Sequence, residues 1–158
     1  MVIFTLLAGR IMETTFVIIK PNGVKGGLIG EIIGRFEKAR LAVCAMRLRQ
    51  VTRKEVEGFY AEHKDRGFFA ELVGFMISGP VVLLALRGEK AVETVRQMNG
   101  ATNPQNALPG TIRFDFAPST GENVVHASDS IESAQREVAY WFKPEEMVEY
   151  SIRSRVLS

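Results

Sequence analysis

The chain has 158 residues, of which 46% are hydrophobic and 24% charged. That suffices for one domain burying roughly 70% of its unfolded surface, and it excludes disordered, collagen-like and disulfide-scaffold classes. Twenty Lys and Arg against eighteen Asp and Glu leave a net charge of +2, so charge alone gives no reason to expect a nucleic-acid or anionic-membrane surface.

Residues 1–12 are apolar but lack the basic start and small-residue cleavage site of a signal peptide. They read as an N-terminal extension ahead of one domain over residues 13–158. No run reaches the ~18 apolar residues needed to cross a bilayer, so no membrane contact is expected and the reading is cytoplasmic. Residues 14–20 (TTFVIIK) are β-branched and aromatic, a buried strand that stops at the turn sequence Pro21-Asn22-Gly23. Residues 28–39 carry Leu28, Ile29, Ile32, Ile33 and Phe36 as a helical stripe, with Gly30 and Gly34 marking a flank where another backbone can approach. Residues 41–51 alternate, Ala42, Cys44, Met46 and Leu48 facing inward and Arg47 and Arg49 outward onto a solvated face.

Thr52 and Glu55 form a capping box that opens a helix through His63. A short helix over 68–76 closes at Ser78-Gly79-Pro80, and residues 81–87 form an apolar strand. A helix over 89–98 stops at Gly100, followed by a loop of about ten residues, a length that is usually functional. A strand end at 123–126 and a helix over 130–142, ended by Pro144, complete the chain. The order β-α-β-α-α-β-α-loop-β-α suits a ferredoxin-like α+β fold, an antiparallel sheet with helices packed on one face. Order alone also permits a parallel doubly wound sheet.

Phosphate-loop and dinucleotide fingerprints are absent, as are zinc-ligand spacings. The single cysteine, Cys44, precludes an intrachain disulfide and reads as a buried structural thiol. Two histidines are present, His63 and His126. His63 reads as a solvated helix residue. His126 lies at a strand end with Glu137 on the following helix; spacing alone favours a packed or capping histidine over a nucleophile. Lys20, Arg96 and Arg113 stand at element ends, with Thr102 beside the long loop, a set suited to a polyphosphate. Taken singly, each cation reads better as a surface ion pair. Phe68 and Phe69 fit core packing, Tyr60 does too, and Asp129 and Ser130 fit a helix cap.

The stretch Asn123-Val-Val-His126-Ala-Ser128-Asp129-Ser130 resembles the active-site signature of the nucleoside diphosphate kinases. The segments around Lys20-Pro21-Asn22-Gly23, Lys64-Asp65-Arg66-Gly67-Phe68-Phe69, Thr102-Asn103-Pro104, Pro109-Gly110-Thr111-Ile112-Arg113 and Trp141-Phe142 resemble that family in the same order. The resemblance implies a ping-pong transfer of the γ-phosphate from a nucleoside triphosphate to a diphosphate through phosphohistidine at His126. Glu137 would hold the other ring nitrogen and Ser128 the carboxylate. Lys20, with Tyr60 beside it, would contact phosphate and ribose, and Arg96, Thr102 and Arg113 would clamp phosphates bridged by Mg2+. Asn123 would bind the ribose, with Phe68 stacked on the base and Thr120 near its other face. Nucleoside di- and triphosphates are the implied partners, in a homohexamer or alternatively a homotetramer. Asn22, Gly67, Phe114 and Ala127 depart from the usual family residues, Phe114 being the one expected to alter packing. A nucleic-acid-binding module of the same fold is the competing reading, but its aromatics would have to lie on strands. A catalytically silent assembly protein is the third, disfavoured by the presence of all the polar site residues.

Overall fold

The computed structural model describes residues 4–7 and 9–153. Five strands, β1 (Phe4–Leu7), β2 (Arg10–Ile19), β3 (Ala42–Arg49), β4 (Val81–Glu89) and β5 (Val125–Ala127), form one sheet. Every pairing is antiparallel, which removes the doubly wound alternative. β4 takes one edge of β2 from Met12 to Ile19, so β5 and β1 lie end to end along the other edge. The hairpin of β1 with the start of β2 lies within the stretch read as an extension.

Helices cover both faces of the sheet, not the single face expected. On one side α3 (Arg53–Phe59), α4 (Phe69–Met76) and α7 (Ile131–Trp141) pack over Phe16, Ile18, Leu83 and Ala85. On the other, α2 (Ile29–Lys38), α5 (Ala91–Asn99) and α6 (Ile112–Phe116) cover Val17, Ile19, Leu84 and Leu86. This explains why residues 14–19 of β2 and 81–86 of β4 read as apolar runs: over those residues neither face of either strand meets water. Gly30 and Gly34, expected to admit a backbone, face open space. Pro21-Asn22-Gly23, read as a turn, begins the short helix α1 (Pro21–Lys25), with proline in the first turn, where its missing N–H leaves no bond unmade.

β3 departs most from expectation. Its register with β4 shifts between Val43 and Ala45, and past this bulge the inward and outward positions exchange. Met46 and Leu48 are exposed at 57% and 63%. Arg47 turns inward to donate to the Trp141 carbonyl at 2.8 Å and to pair with Glu146, while Arg49 pairs with Glu55 at 2.9 Å. Those arginines tie β3 to α3 and the segment after α7.

The capping box forms as read: Glu55 N–H donates to Thr52 Oγ1 at 3.2 Å, and Thr52 N–H donates to Glu55 Oε2 at 2.8 Å. The helix ends at Phe59, earlier than expected, and a 3-10 turn over Ala61–His63 carries the chain onward. Because α3 leads directly to Tyr60 and His63, its start anchors one wall of the cleft described next. Thr52→Ala is expected to cost about 1 kcal/mol and to lower the melting temperature by roughly 2–4 °C in a chain of this size. A calorimetric melt indistinguishable from wild type would show that the cap contributes nothing.

Candidate active site

A cleft of about 1160 Å³ opens over the β2–β5 edge, and the polar residues to which the family likeness assigns site roles line it, Ser128 excepted. His126 stands on β5, Lys20 just past β2, Arg96 on α5, Arg113 on α6 and Glu137 on α7. Tyr60 and Phe68 come from the α3–α4 connection, Thr102, Thr120 and Asn123 from loops.

β5 is brought to β2 by an unusual turn. Val124 has φ +72°, and Val125 N–H donates to the Asn123 carbonyl at 2.8 Å, closing a three-residue turn. A β-branched side chain in the left-handed region is strained, and neighbours hold it there: Val124 is buried and its carbonyl accepts Lys20 N–H at 2.8 Å. The turn places Asn123 beside Lys20 and His126 opposite Ile18.

His126 Nε2 makes a short bond to Glu137 Oε1. A carboxylate only accepts, so the proton lies on Nε2 and the Nδ1 lone pair is free. Burial holds the imidazole's pKa below its ordinary value, with Lys20 and Arg113 acting in the same sense and the Glu137 carboxylate against it. The ring is therefore neutral at physiological pH. Phe59 and Tyr60 meet it edge-on at 5.2 and 5.9 Å.

Lys20 is 7% exposed, and Nζ donates to Asn123 Oδ1 at 2.7 Å. Burial, reinforced by the Arg113 charge, lowers its pKa to about 7. The Asn123 amide donates onward to the Thr102 carbonyl at 3.2 Å, which ties the long loop to the strand end. Arg113 is anchored by two carbonyls, those of Gly100 and Val125, each at 2.8 Å, and its Nε has no partner among the described residues. Burial and neighbouring Arg96 lower its pKa to about 10. Gly100 has φ +82°, and a Cβ there would come within 2.5 Å of Thr111 Oγ1, so the arginine's anchor requires glycine. Tyr60 is buried with its hydroxyl unpartnered among the described residues, and burial followed by the Glu137 charge raises its pKa. Three cations and an unsatisfied hydroxyl beside a neutral imidazole form an anion site that is costly to leave empty.

Ser128 is fully buried, and its hydroxyl accepts Phe16 N–H at 3.4 Å, fastening β5 to β2. Ala127, where a glycine is usual, is not among the positive-φ residues, so its methyl group is accommodated. Phe114 lies half-exposed on α6, outside the buried core. Phe68 is 50% exposed at the cleft, which separates it from the core role that its neighbour Phe69 takes. Sequence reasoning missed His63. It lines the cleft with its ring 5.7 Å from that of Phe68. The break from α3 into a 3-10 turn redirects it, and no pattern in the sequence signals that break.

Comparison with known proteins gives one answer. The family model described as nucleoside diphosphate kinase matches residues 13–147. The nucleoside diphosphate kinase of Thermus thermophilus is 52% identical over 137 residues, covering 87% of this chain and all of the relative. The Aquifex aeolicus nucleoside diphosphate kinase structure superimposes with a TM-score of 0.85 at 40% identity, over 87% of this chain and 99% of that one. The Halobacterium salinarum enzyme, solved in complex with CDP, gives 0.85 at 41% identity, over 87% and 92%. With this sheet and a family match across most of its length, the chain belongs to the nucleoside diphosphate kinases, phosphotransferases of nucleotide metabolism.

Proposed function

We propose that this chain transfers the γ-phosphate of a nucleoside triphosphate to a nucleoside diphosphate in two half-reactions at His126. The Nδ1 lone pair attacks the γ-phosphorus, the bond to the β-phosphate bridging oxygen breaks, and the electron pair leaves with the diphosphate. In the second half an oxygen of the acceptor's terminal phosphate attacks the phosphohistidine and the N–P bond breaks. The observation that carries this reading is the buried His126 Nε2–Glu137 pair beside two buried cations. It fixes the tautomer and supplies a carboxylate to balance the charge the ring gains.

Lys20 and Arg113 neutralise the transferring group, and Arg96 extends the clamp outward. Phosphoryl transfer asks mainly for positioning and charge neutralisation, which these groups provide. Asn123, bonded to Lys20, and Tyr60 meet the ribose end, with Thr102 at the β-phosphate. Phe68 stacks on the base with Thr120 opposite; stacking tolerates any base, so broad specificity follows. Ser128 holds the Glu137 carboxylate, as the family likeness implies, and its bond to Phe16 keeps β5 in register. Among the described residues no cluster of three His, Cys, Asp or Glu side chains comes together, so a Mg2+ ion would be held chiefly by the nucleotide phosphates. Bound there, it would add charge neutralisation to that of the cations. Residues 1–12 are read as an extension of the catalytic domain over 13–158. A cytoplasmic homohexamer remains the assembly and location that the family likeness favours.

Incubation with γ-labelled ATP and Mg2+ is expected to give a protein-bound label that is acid-labile and alkali-stable. Chasing with ADP, GDP, CDP or UDP should remove it in each case. An acid-stable label, or none, would defeat the histidine mechanism, and discharge by a single diphosphate would defeat broad specificity.

A further inference from the structure

Arg113 is one of the two buried cations on which the proposed transfer depends, and the helix that carries it is poorly able to hold itself in place. α6 has five residues, well short of the ~12–15 that an isolated helix needs. Its own cap is weak, Phe114 N–H meeting Thr111 Oγ1 at 3.4 Å. A side chain on α2 secures it from outside. Arg35 pairs through Nη1 with Asp115 Oδ2 at 2.8 Å and donates to the Gly110 carbonyl at 3.3 Å. Its guanidinium also lies over the Phe116 ring, 4.8 Å from the centroid. Arg35 thus touches the turn that enters α6, the helix's fourth residue and its last. Glu31, one turn back on α2, accepts from Arg35 Nε at 3.0 Å and fixes the direction of the fork. The Arg35 and Asp115 side chains are only 23% and 27% exposed, so this is a partly buried network and not an isolated surface pair. Arg35 itself does not line the cleft.

We propose that Arg35 is a positioning residue for the phosphoryl transfer, acting through α6 to hold the Arg113 guanidinium in line with the transferring phosphate. Like the transfer itself, this role rests on the nucleotide reading of the cleft. Arg113 is pinned at its guanidinium end by two carbonyls on other elements, Gly100 after α5 and Val125 on β5. Its backbone end moves with α6. A shift of α6 therefore either stretches those two bonds or carries the charge away from the phosphate. The loss falls on kcat, because the Arg113 charge matters most where charge develops in the transition state. Ground-state binding is shared with Lys20, Arg96 and the stack on Phe68, so KM is affected less. A lysine at position 35 would keep the charge. A single ammonium group cannot reproduce the planar fork that reaches Glu31, Asp115 and the Gly110 carbonyl while lying flat on Phe116.

A double-mutant cycle on the full chain, assayed well below the lowest melting temperature, separates this role from plain support of the fold. Arg35→Met is expected to lower kcat by about 10- to 100-fold, the scale of a misplaced catalytic group, with KM changed by less than about threefold. Arg35→Lys should recover part of the loss. In an Arg113→Ala background the same Arg35→Met change should lower kcat by less than about twofold, while the melting temperature falls by a similar amount in both backgrounds. Asp115→Asn removes one contact of the network and should repeat the pattern with a loss of about threefold, so the cycle does not depend on Arg35→Met folding. An equal loss of kcat in the two backgrounds, or wild-type kcat in Arg35→Met, would overturn the assignment. Absence of nucleotide turnover in wild type would instead bring down the nucleotide reading of the cleft, and this role with it.

Discussion

Replacement of His126 by alanine is expected to reduce turnover by about 10⁴- to 10⁶-fold, the scale on which removing a covalent nucleophile acts. No neighbour can substitute. The other imidazole, His63, stands two ring spacings along the cleft wall, with Tyr60 between them. Tyr60 itself is held protonated by burial and by the Glu137 charge. Glu137→Gln should do less damage, roughly 10²- to 10⁴-fold by analogy with tautomer loss in other His–carboxylate pairs. An amide can still accept from Nε2–H, but it no longer balances the positive charge that phosphorylation creates. The two variants thus separate nucleophile from support, and a steady-state assay at saturating nucleotide reads both. A loss of less than about tenfold in His126→Ala would remove the residue from the mechanism. The pH profile follows from the same pair. Protonation of His126 abolishes the lone pair, and burial holds its folded pKa below the ordinary value. The acid limb of kcat/KM in wild type should accordingly lie below the usual histidine range.

These residues were visible in the sequence to different depths. Residues 14–19 of β2 and 81–86 of β4 were legible because burial on both faces leaves no polar alternation to misread. The capping box at Thr52 and the stop at Gly100 were legible because local backbone chemistry sets them. β3 was half legible. A period-2 pattern assumes unbroken pleating, and the bulge after Val43 reverses it, so Met46 and Leu48 surface while Arg47 and Arg49 turn inward to partners distant in sequence. The two-sided packing was hidden for a related reason, since strand order does not reveal which face a crossover helix takes. The pairing of His126 with Glu137 depends on where the γ-turn at Val124 delivers β5 against α7, and spacing carried no such information. Only the ordered set of family motifs drew these residues together beforehand. His63 was lost because its place in the cleft depends on a helix ending one turn early, which propensity does not resolve.

Lys20→Met is expected to make the protein more stable and nearly inactive. The charged form of Lys20 is penalised by burial and by Arg113, and its pKa falls from 10.5 to about 7 in the folded chain. The unfolded chain then binds more protons than the folded one between about pH 7 and pH 10.5, so this residue's cost to stability is full below pH 7 and fades as pH rises towards 10.5. At neutral pH that cost is of the order of 3–5 kcal/mol. A methionine of similar length removes it but leaves Asn123 Oδ1 without its 2.7 Å donor, a loss of about 1–3 kcal/mol. The net gain should be about 1–3 kcal/mol near pH 7 and should disappear towards pH 10. Turnover should fall by about 10²- to 10³-fold, the effect of deleting one charge that stabilises the transition state. Melting temperatures of wild type and variant across that pH range, paired with turnover near pH 8, read both halves. A variant less stable than wild type at every pH would mean that the ammonium group is held in place by compensating contacts and not by the protein's need for a charge at that point. If stability rises and activity falls together, the buried lysine is strain retained for a ligand: folding tolerates an unpaired cation because a polyanion completes the site. Neutral His126, clamped Arg113 and unpartnered Tyr60 are arranged on the same principle, each less than satisfied until phosphate arrives.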